Sequence, residues 1–242
     1  MSGVMTQSVA ILHQDAYCIA VDKPPGIPVI PAPTSDTPGD CLRSRVEQAI
    51  GRRVWVVHRI DLEASGVVLF ARTPDAHRAL SMAFESRDVE KTYTLLAAGI
   101  PDPLSGTIDI ALHSARRGKA RPALADEPGT QLAITDYAVE TSWRMERGSV
   151  SLVTAHPRTG RHHQLRVHFR AIGTPLLWDA AYGRRVDLEE LEDAPCQRLA
   201  LHAARIRIPA GVLGSAPLDV SSPLATDLAA TVRWFDGRLD RR

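Results

Sequence analysis

This sequence has few cysteines, no long apolar run and almost no net charge. The 242 residues contain three cysteines, Cys18, Cys41 and Cys196, and no Cys-x-x-Cys pair. This argues against a disulfide framework or a zinc site and fits the reducing cytoplasm. No apolar run approaches the ~20 residues that a membrane helix needs. The N-terminus lacks a basic start followed by a long apolar stretch, so we expect no signal peptide.

The charge balance gives no sign of a nucleic-acid partner for the molecule as a whole. Lys+Arg number 29 and Asp+Glu number 28, a formal net charge of +1. Binding of nucleic acid would therefore require a local basic patch. The sequence also lacks internal repeats and a linker that separates two compositions. The simplest prediction is one mixed α+β domain over residues 1–242, with its core at about 9–235.

Hydrophobic patterning predicts several strands. VAILHQDAYCIAVDKP predicts one or two short strands around a polar turn, whereas the prolines of residues 24–38 exclude a helix or a central strand there. Residues 100–131, rich in Pro, Gly and charge, predict an irregular excursion or small hairpins. The other predicted strands are Val54 to Val57, Gly66 to Ala71, KTYTLLAAG, ITDYAVETSW, GSVSLVTAH and RLALHAARIRIP.

Four helices are predicted from caps and from helical spacing. Asp40 can cap a short helix that runs to Ile50, and Thr73 followed by Pro74 marks the start of an amphipathic helix to about Ser86. The third helix is predicted from Leu165, Phe169 and Ile172, which fall on one helical stripe. The fourth is TDLAATVRWF, with Thr226 as its cap.

The stretch HRIDLEASG, His58 to Gly66, places three charged residues between two apolar runs. Asp61 there is typical of a hairpin turn, where a carboxylate accepts local backbone N–H groups. It also suits a carboxylate held beside an apolar wall and available as a nucleophile. Such a group would need a fixed cation nearby, because desolvation raises a carboxyl pKa.

A local basic run lies in HPRTGRHHQLRVHFR, residues 156–170, which has four arginines, four histidines and no acid. Thr159-Gly160 predicts a loop that leads into a helix N-terminus, where backbone N–H groups and arginines suit phosphates. A solvated helix face is the simpler alternative. No two of these histidines have the i, i+4 spacing of zinc helices, so we expect no metal. The arginines are Arg158, Arg161, Arg166 and Arg170.

A tyrosine in a strand is the third candidate. Lys91-Thr92-Tyr93 places Lys91 and Tyr93 on one strand face. A tyrosine in a half-buried strand is most often a core residue with its hydroxyl at the rim. It can equally serve as a stacking platform for a base or as a proton acceptor.

Together these segments resemble the RluA family of RNA pseudouridine synthases. VHRIDLEASGVVLFART is similar to the family's HRLDxxTSG motif, and EKTYTLLAAG is similar to its KxY motif. HPRTGRHHQLRVHFRAIGTPLLWDAAYG resembles HPxTGRTHQIRVHxxxxGxPxxGDxxYG. ILHQDAYCIAVDKPPGIPV resembles the opening strand and KPxG loop, and RLALHAARIRI the closing strand. The similarity runs in order from about Val9 to Ile208.

Three positions depart from the family pattern. Ala64 stands where threonine is usual, Leu62 where a basic or polar residue is common, and His162 where threonine or serine is usual. The missing hydroxyl at residue 64 concerns the positioning of Asp61. The chain also starts directly at the catalytic domain, so we expect no S4 domain in front of it.

The resemblance implies an α+β fold, with a mixed, mostly antiparallel sheet flanked by helices and loops around a central RNA-binding cleft. It implies isomerisation of uridine to pseudouridine in structured ribosomal or transfer RNA, with no cofactor, no metal, no membrane and no obligate protein partner. Asp61 is the implied catalytic residue, Arg166 its cationic partner, and Tyr93 the residue that stacks on the uracil and takes the C5 proton. The implied RNA or substrate contacts are His58, Arg59, Arg158, Arg161, His163, Gln164 and Leu165.

Two other functions stay open from the residues. One is a catalytically silent RNA-binding module of the same fold. The other is a hydrolase that uses His58 or the His162–His163 pair.

Overall fold

The computed structural model describes residues 9–31, 39–114, 119–183 and 189–241. The described residues form helices α1 to α4 at Leu42–Ile50, Pro74–Glu85, Gln164–Ala171 and Thr226–Arg238. Strands β1 to β8 are Ala10–Gln14, Cys18–Lys23, Trp55–Val56, Ser65–Ala71, Glu90–Ala98, Ser105–Asp109, Leu112–Ser114 and Ala120–Pro122. Strands β9 to β13 are Ile134–Met145, Gly148–Pro157, Leu201–Ile208, Leu218–Ser221 and Asp240–Arg241. The α+β class expected from the sequence is confirmed.

The contacts divide the chain into two compact units. Unit 1 comprises Met1–Val89 with Arg205–Ser222, and unit 2 comprises Glu90–Ala204 with Pro223–Arg242. The single domain expected over residues 1–242 stays a prediction. Among the described helices, none is both long enough and apolar enough to cross a membrane.

In unit 1, an antiparallel sheet buries both of its faces. Strand β2 lies between β1 and β4, β3 pairs with β4, and β12 pairs with the second half of β11. Alternate residues of a strand point to opposite faces, so Leu69 packs with Leu80 of α2 whereas Phe70 packs with Leu42 of α1. With both faces covered, β4 can be the continuous apolar run that the sequence shows.

In unit 2, the antiparallel order is β5–β10–β9–β13, with β6 also on β9. Helix α4 covers one part of this unit: Leu228 and Phe235 pack with Leu96 and Trp143. A separate hairpin of β7 and β8 packs near α3, where Leu112 and Val167 share a small core. Among the described residues of the stretch 100–131, which was expected to form an irregular excursion or small hairpins, β7 and β8 form one small hairpin, and residues 115–118 lie outside the described residues.

The helix caps agree with the sequence at one end and differ at two others. Thr73 caps α2 as predicted, because its side chain accepts the N–H of Ala76 at 3.1 Å. The prediction that Asp40 caps α1 is wrong: the N-cap is Cys41, and the Asp40 carboxylate binds Arg45 at 2.7 Å instead. The cap predicted at Thr226 is also wrong, since Thr226 is already the first helical residue of α4.

Other local expectations are met. The polar turn between β1 and β2 is present, and the described prolines before α1 lie outside helix and strand. Residues 32–38 of that proline-rich stretch lie outside the described residues.

Candidate active site

Asp61 lies in the turn that leads into β4. Its carbonyl oxygen accepts the N–H of Ala64 at 3.2 Å, and the residue is half-buried. Ala64 and Ser65 are buried, and Gly66 has a φ of 110°, a conformation that favours glycine. The predicted turn is therefore confirmed, and it carries Asp61 on a short, tightly closed segment.

A buried lysine fixes the main chain beside Asp61. Lys23 is 0% exposed, and its Nζ donates to the carbonyl oxygens of Pro24, Ile27 and Leu62, each at 2.9 Å. The N–H of Gly26 also donates to the Leu62 carbonyl at 2.9 Å. Three N–H donors of an ammonium thus meet three acceptors, and they join the KPPG loop to the Asp61 turn. Lys23 was not predicted to have a role, and the signal for one was a lysine at the end of a mostly apolar strand.

His58 anchors the other end of this turn. Its Nε2 accepts the N–H of Leu69 at 2.9 Å, and its ring stacks on Phe84 with 4.9 Å between centroids. An acceptor at Nε2 places the proton of a neutral ring on Nδ1. Arg59 is exposed on the same turn. The RNA contacts of His58 and Arg59 stay predictions.

The loop before α3 is organised by one buried amide. Gln164, 4% exposed, accepts from the Thr159 hydroxyl at 2.6 Å and from the Arg161 N–H at 3.0 Å. Its Nε2 donates to the Ile134 carbonyl and to the Thr135 hydroxyl, both at 3.0 Å. Two donors and two acceptors match the full capacity of an amide. These bonds make Gln164 an internal support of the loop, and its contact with RNA stays a prediction.

The predicted loop into a helix N-terminus is present. Helix α3 begins at Gln164, and the preceding His163 has a φ of 54° without a side-chain cap. His163 stacks on His162 at 3.6 Å, and its Nδ1 lies 2.9 Å from the Tyr182 hydroxyl. A non-glycine residue at positive φ is strained and persists only where its surroundings hold it. The contacts of His163 provide that restraint.

The arginines of residues 156–170 are less alike than their sequence suggests. Arg158 forms a bidentate pair with Asp136 at 2.5 and 2.8 Å. Arg161 donates its Nε to the Leu132 carbonyl at 3.1 Å, a neutral partner. The run itself contains no acid, but the fold brings Asp136 to Arg158 and Asp179 to Arg166 from other segments.

Arg166 lies in a buried cluster of side chains. Its Nε and Nη2 donate to the two carboxylate oxygens of Asp179 at 2.8 and 2.7 Å, and its guanidinium lies over the Tyr182 ring at 5.1 Å. Burial alone would raise the pKa of Asp179. Arg166 and the N–H groups of Ala181 and Tyr182 together lower this pKa by more than burial raises it, so it lies below its usual value. Asp179 is a functional candidate that the sequence analysis missed, although the WDAAYG segment matched a motif that contains it.

Tyr93 and Leu165 occupy regular elements of unit 2. Tyr93 is half-buried on β5, opposite Ala155 of β10. Lys91 donates to the Thr159 carbonyl at 3.1 Å, which ties this strand to the loop before α3. Leu165 is 6% exposed within α3. Their proposed roles toward a uracil stay predictions.

Within the described residues, His13, Asp15 and Cys18 form a group whose ligand atoms could hold a metal ion. The Asp15 carboxylate already accepts the N–H groups of Tyr17 and Cys18 at 2.7 Å, and it binds His13 at 3.0 Å. Burial raises the pKa of the Cys18 thiol to about 12, which keeps it protonated. These bonds close the turn between β1 and β2 and do not favour metal binding.

Comparisons with known proteins agree with this geometry. A family model described as RNA pseudouridylate synthase matches residues 17–171. The tRNA pseudouridine synthase C of Yersinia pestis is 32% identical over 232 residues, 93% of this chain and 86% of that protein. The dual-specificity RNA pseudouridine synthase RluA of Salmonella typhi is 32% identical over 204 residues, 83% of this chain and 86% of that protein.

A solved structure matches as well. Human RNA Pseudouridylate Synthase Domain Containing 4 superimposes with a TM-score of 0.73 at 26% identity, over 96% of this chain and 94% of that chain. Family, order of motifs and fold therefore agree. The chain belongs to the RluA family of RNA pseudouridine synthases.

Proposed function

We propose that this protein isomerises specific uridines in structured ribosomal or transfer RNA to pseudouridine, with Asp61 as the catalytic residue. Membership of the RluA family supports the reaction, and the tRNA enzyme of Yersinia pestis supports an RNA of this kind. The observation that carries the choice of Asp61 is its position in the HRIDLEASG turn, which Lys23 and His58 fix at both ends.

The reaction replaces one glycosidic bond by another. The C1′–N1 bond breaks, the uracil rotates, the C1′–C5 bond forms, and the C5 proton leaves while N1 gains one. Asp61 attacks C1′ or acts at C2′, and both routes require an ionised carboxylate. We propose no cofactor and no obligate protein partner, because the isomerisation needs no redox change and no group donor.

Arg166 is proposed as the partner that keeps Asp61 ionised. A guanidinium carries five N–H donors, and the fork with Asp179 uses two of them. Tyr93 is proposed to stack on the uracil and to take the C5 proton as a general base.

The target uridine must leave its stack before it can react, at a cost of a few kcal/mol. We propose that Arg59 fills the gap, which its exposure supports. Leu165 lines the uracil pocket in this proposal. The proposed contacts to the RNA backbone are Arg158, Arg161, His163 and Gln164, and His58 is a proposed RNA or substrate contact.

Tritium release from RNA labelled at uridine C5 tests this function. The wild-type protein should release tritium, and Asp61→Asn should lose at least about 10³-fold of the rate, as loss of a nucleophile does. Glu63→Gln is the matched control, since it changes a carboxyl of the same turn, and it should retain most of the activity. Full release by Asp61→Asn would contradict the assignment.

The same assay separates the rivals. A silent RNA-binding module releases no tritium, and a hydrolase acts on an ester or phosphate instead. The comparisons favour the isomerase over both. The Nε2 of His58 already accepts a backbone N–H, which does not favour a catalytic base at that atom.

We also propose a cytoplasmic location. The three cysteines are free thiols, and all are buried. Free cysteines are typical of proteins in reducing compartments.

A further inference from the structure

We propose that Asp179 is a positioning residue for the isomerisation, because it fixes the guanidinium of Arg166 on which the ionised Asp61 depends. This inference rests on the proposed function, in which Arg166 is the partner of Asp61. Asp179 itself is assigned no contact with the uridine.

The ion pair sets the orientation of the guanidinium. Both carboxylate oxygens of Asp179 are engaged, one by Nε and one by Nη2 of Arg166. This bidentate pair restrains rotation within the plane of the guanidinium, and Nη1 projects from the edge that Asp179 does not occupy. The two side chains are 8% and 0% exposed, so water cannot readily replace either partner.

Tyr182 restrains the guanidinium from a second direction. Its ring lies 5.1 Å from the guanidinium carbon, a cation–π contact that opposes motion out of the plane. The ring is itself held, because its hydroxyl accepts the N–H of Ala120 at 2.8 Å and lies 2.9 Å from His163 Nδ1. Position and plane of the Arg166 side chain are thus both determined.

The backbone closes tightly around Asp179. Its Oδ1 accepts the N–H groups of Ala181 and Tyr182 at 2.9 and 3.0 Å, and its carbonyl accepts the N–H of Gly183 at 2.7 Å. A Cβ on Gly183 would lie 2.6 Å from that carbonyl oxygen, a distance that forces the loop to move. The loop therefore has room only for glycine at residue 183.

Strained backbone immediately before Asp179 is held by core packing. Trp178 has a φ of 53°, a conformation that side chains other than glycine rarely adopt. Its side chain packs against the core cluster that includes Leu228 and Phe235 of α4. Strain of this kind persists where the surroundings over-determine it, often at functional sites. It is a second observation, independent of the ion pair, that this loop is held in a specific conformation.

The test separates rate from RNA binding. In the full chain, Asp179→Asn should lower the single-turnover rate of tritium release at saturating RNA by about 100-fold, the effect of a small misplacement of a catalytic group. The Kd for RNA should stay within about twofold, because Asp179 is buried and its role is internal. The matched control is Asp136→Asn, which breaks an exposed arginine pair in the same unit and should leave the saturated rate near the wild-type value.

A wild-type rate in folded Asp179→Asn would overturn the inference, as would an equal loss in both variants. If Asp179→Asn does not fold, Gly183→Ala decides, since it displaces the Asp179 carbonyl without changing any charge. A lowered saturated rate with an unchanged Kd supports the inference, and a wild-type rate overturns it. If the wild-type protein releases no tritium, the proposed function fails instead, so the two failures are distinguishable.

Discussion

The turn at Asp61 and the side-chain network around Arg166 of α3 each depend on a buried side chain with a positive charge, but the two charges have different partners. Lys23 donates to three main-chain carbonyls beside Asp61. Arg166 donates to a carboxylate, and its neighbours Tyr182 and Gln164 are held by further side-chain bonds. The first region is held by bonds to main-chain carbonyls, and the second by bonds between particular side chains.

This difference accounts for two of the three departures from the family pattern, those at Leu62 and Ala64. Main-chain carbonyls are supplied by every residue type, so Leu62 and Ala64 can replace the usual residues while the turn keeps its Lys23 and Gly26 bonds. The network around Arg166 has no such freedom, because the Asp179 carboxylate binds Arg166 and also accepts the N–H groups of Ala181 and Tyr182. Substitutions should therefore be more damaging in the side-chain network than at the tolerant positions of the turn.

The largest effect is expected where the main-chain region depends on one side chain. Lys23→Met removes the donor of the Pro24 and Ile27 carbonyls, at about 1–3 kcal/mol each, and leaves the Leu62 carbonyl with the Gly26 N–H as its remaining donor. We expect a loss of at least about 3 kcal/mol in the free energy of unfolding, measured by urea denaturation. Lys91→Met is the control, because Lys91 is half-buried and donates to the Thr159 carbonyl. Equal losses in the two variants would break the comparison.

The side-chain network can be tested with one amide. Gln164→Glu removes the donors to the Ile134 carbonyl and the Thr135 hydroxyl in a buried position, so we expect a loss of about 2–4 kcal/mol. Gln197→Glu makes the same change at an exposed residue whose amide also donates to carbonyls. We expect about 1 kcal/mol or less there. Thermal unfolding of both variants gives the comparison, and a smaller loss at Gln164 would contradict it.

Two arginines of the loop before α3 should differ in their effect on RNA binding, because one has a neutral partner and the other a charged partner. Arg161 binds a neutral carbonyl, whereas Arg158 is paired with Asp136, so Arg161 is the stronger candidate for the proposed phosphate contact. Arg161→Ala should weaken RNA binding and reduce the slope of log Kd against log salt by about 0.7–0.9, the share of one phosphate contact. Arg158→Ala should change the slope less. An unchanged slope in Arg161→Ala would remove that contact.

The smallest effect concerns a buried histidine under the same loop. His168 is 0% exposed, with one ring nitrogen 3.0 Å from the Thr135 hydroxyl and the other 3.0 Å from the Ile110 carbonyl. Burial lowers its pKa, only partly offset by the Ile110 bond. Below the unfolded pKa of about 6.5, the unfolded chain binds a proton that the folded protein resists, so stability falls as pH falls.

One proton contributes at most about 1.4 kcal/mol per pH unit. Urea unfolding at pH 7, 6 and 5.5 should therefore show a shallower loss in His168→Gln than in the wild-type protein. His13→Gln, at a residue of the β1–β2 turn, is the control. Identical pH dependence in all three proteins would contradict the assignment of this effect to His168.

The sequence pattern predicted the features of the fold that depend on interactions between residues close in the chain. The apolar run of β4 and the Thr73–Pro74 start of α2 were predicted because burial and capping act over a few residues. The caps at Asp40 and Thr226 were wrong because a competing partner, Arg45, and the path of the preceding chain decided them. Arg45 lies close to Asp40 in the sequence, but which of the two bonds the Asp40 carboxylate makes depends on the path of the backbone into the helix.

The site was predictable in its motifs and not in its supports. Asp61 and Arg166 were found through family resemblance, and their pairing stays a prediction. The contact of Lys23 with Leu62 spans 39 positions, and that of Arg166 with Asp179 spans 13. Contacts at such separations depend on how strands and loops pack, so spacing alone does not reveal them.

The anchored carbonyl of Leu62 has an evolutionary consequence. Its oxygen is bound twice, by Lys23 and by Gly26, while its side chain is 51% exposed. Because the peptide oxygen is the anchor, mutations at this codon leave the neighbouring Asp61 in place. The residue next to Asp61 can therefore change its side chain while the two bonds that hold this turn are kept.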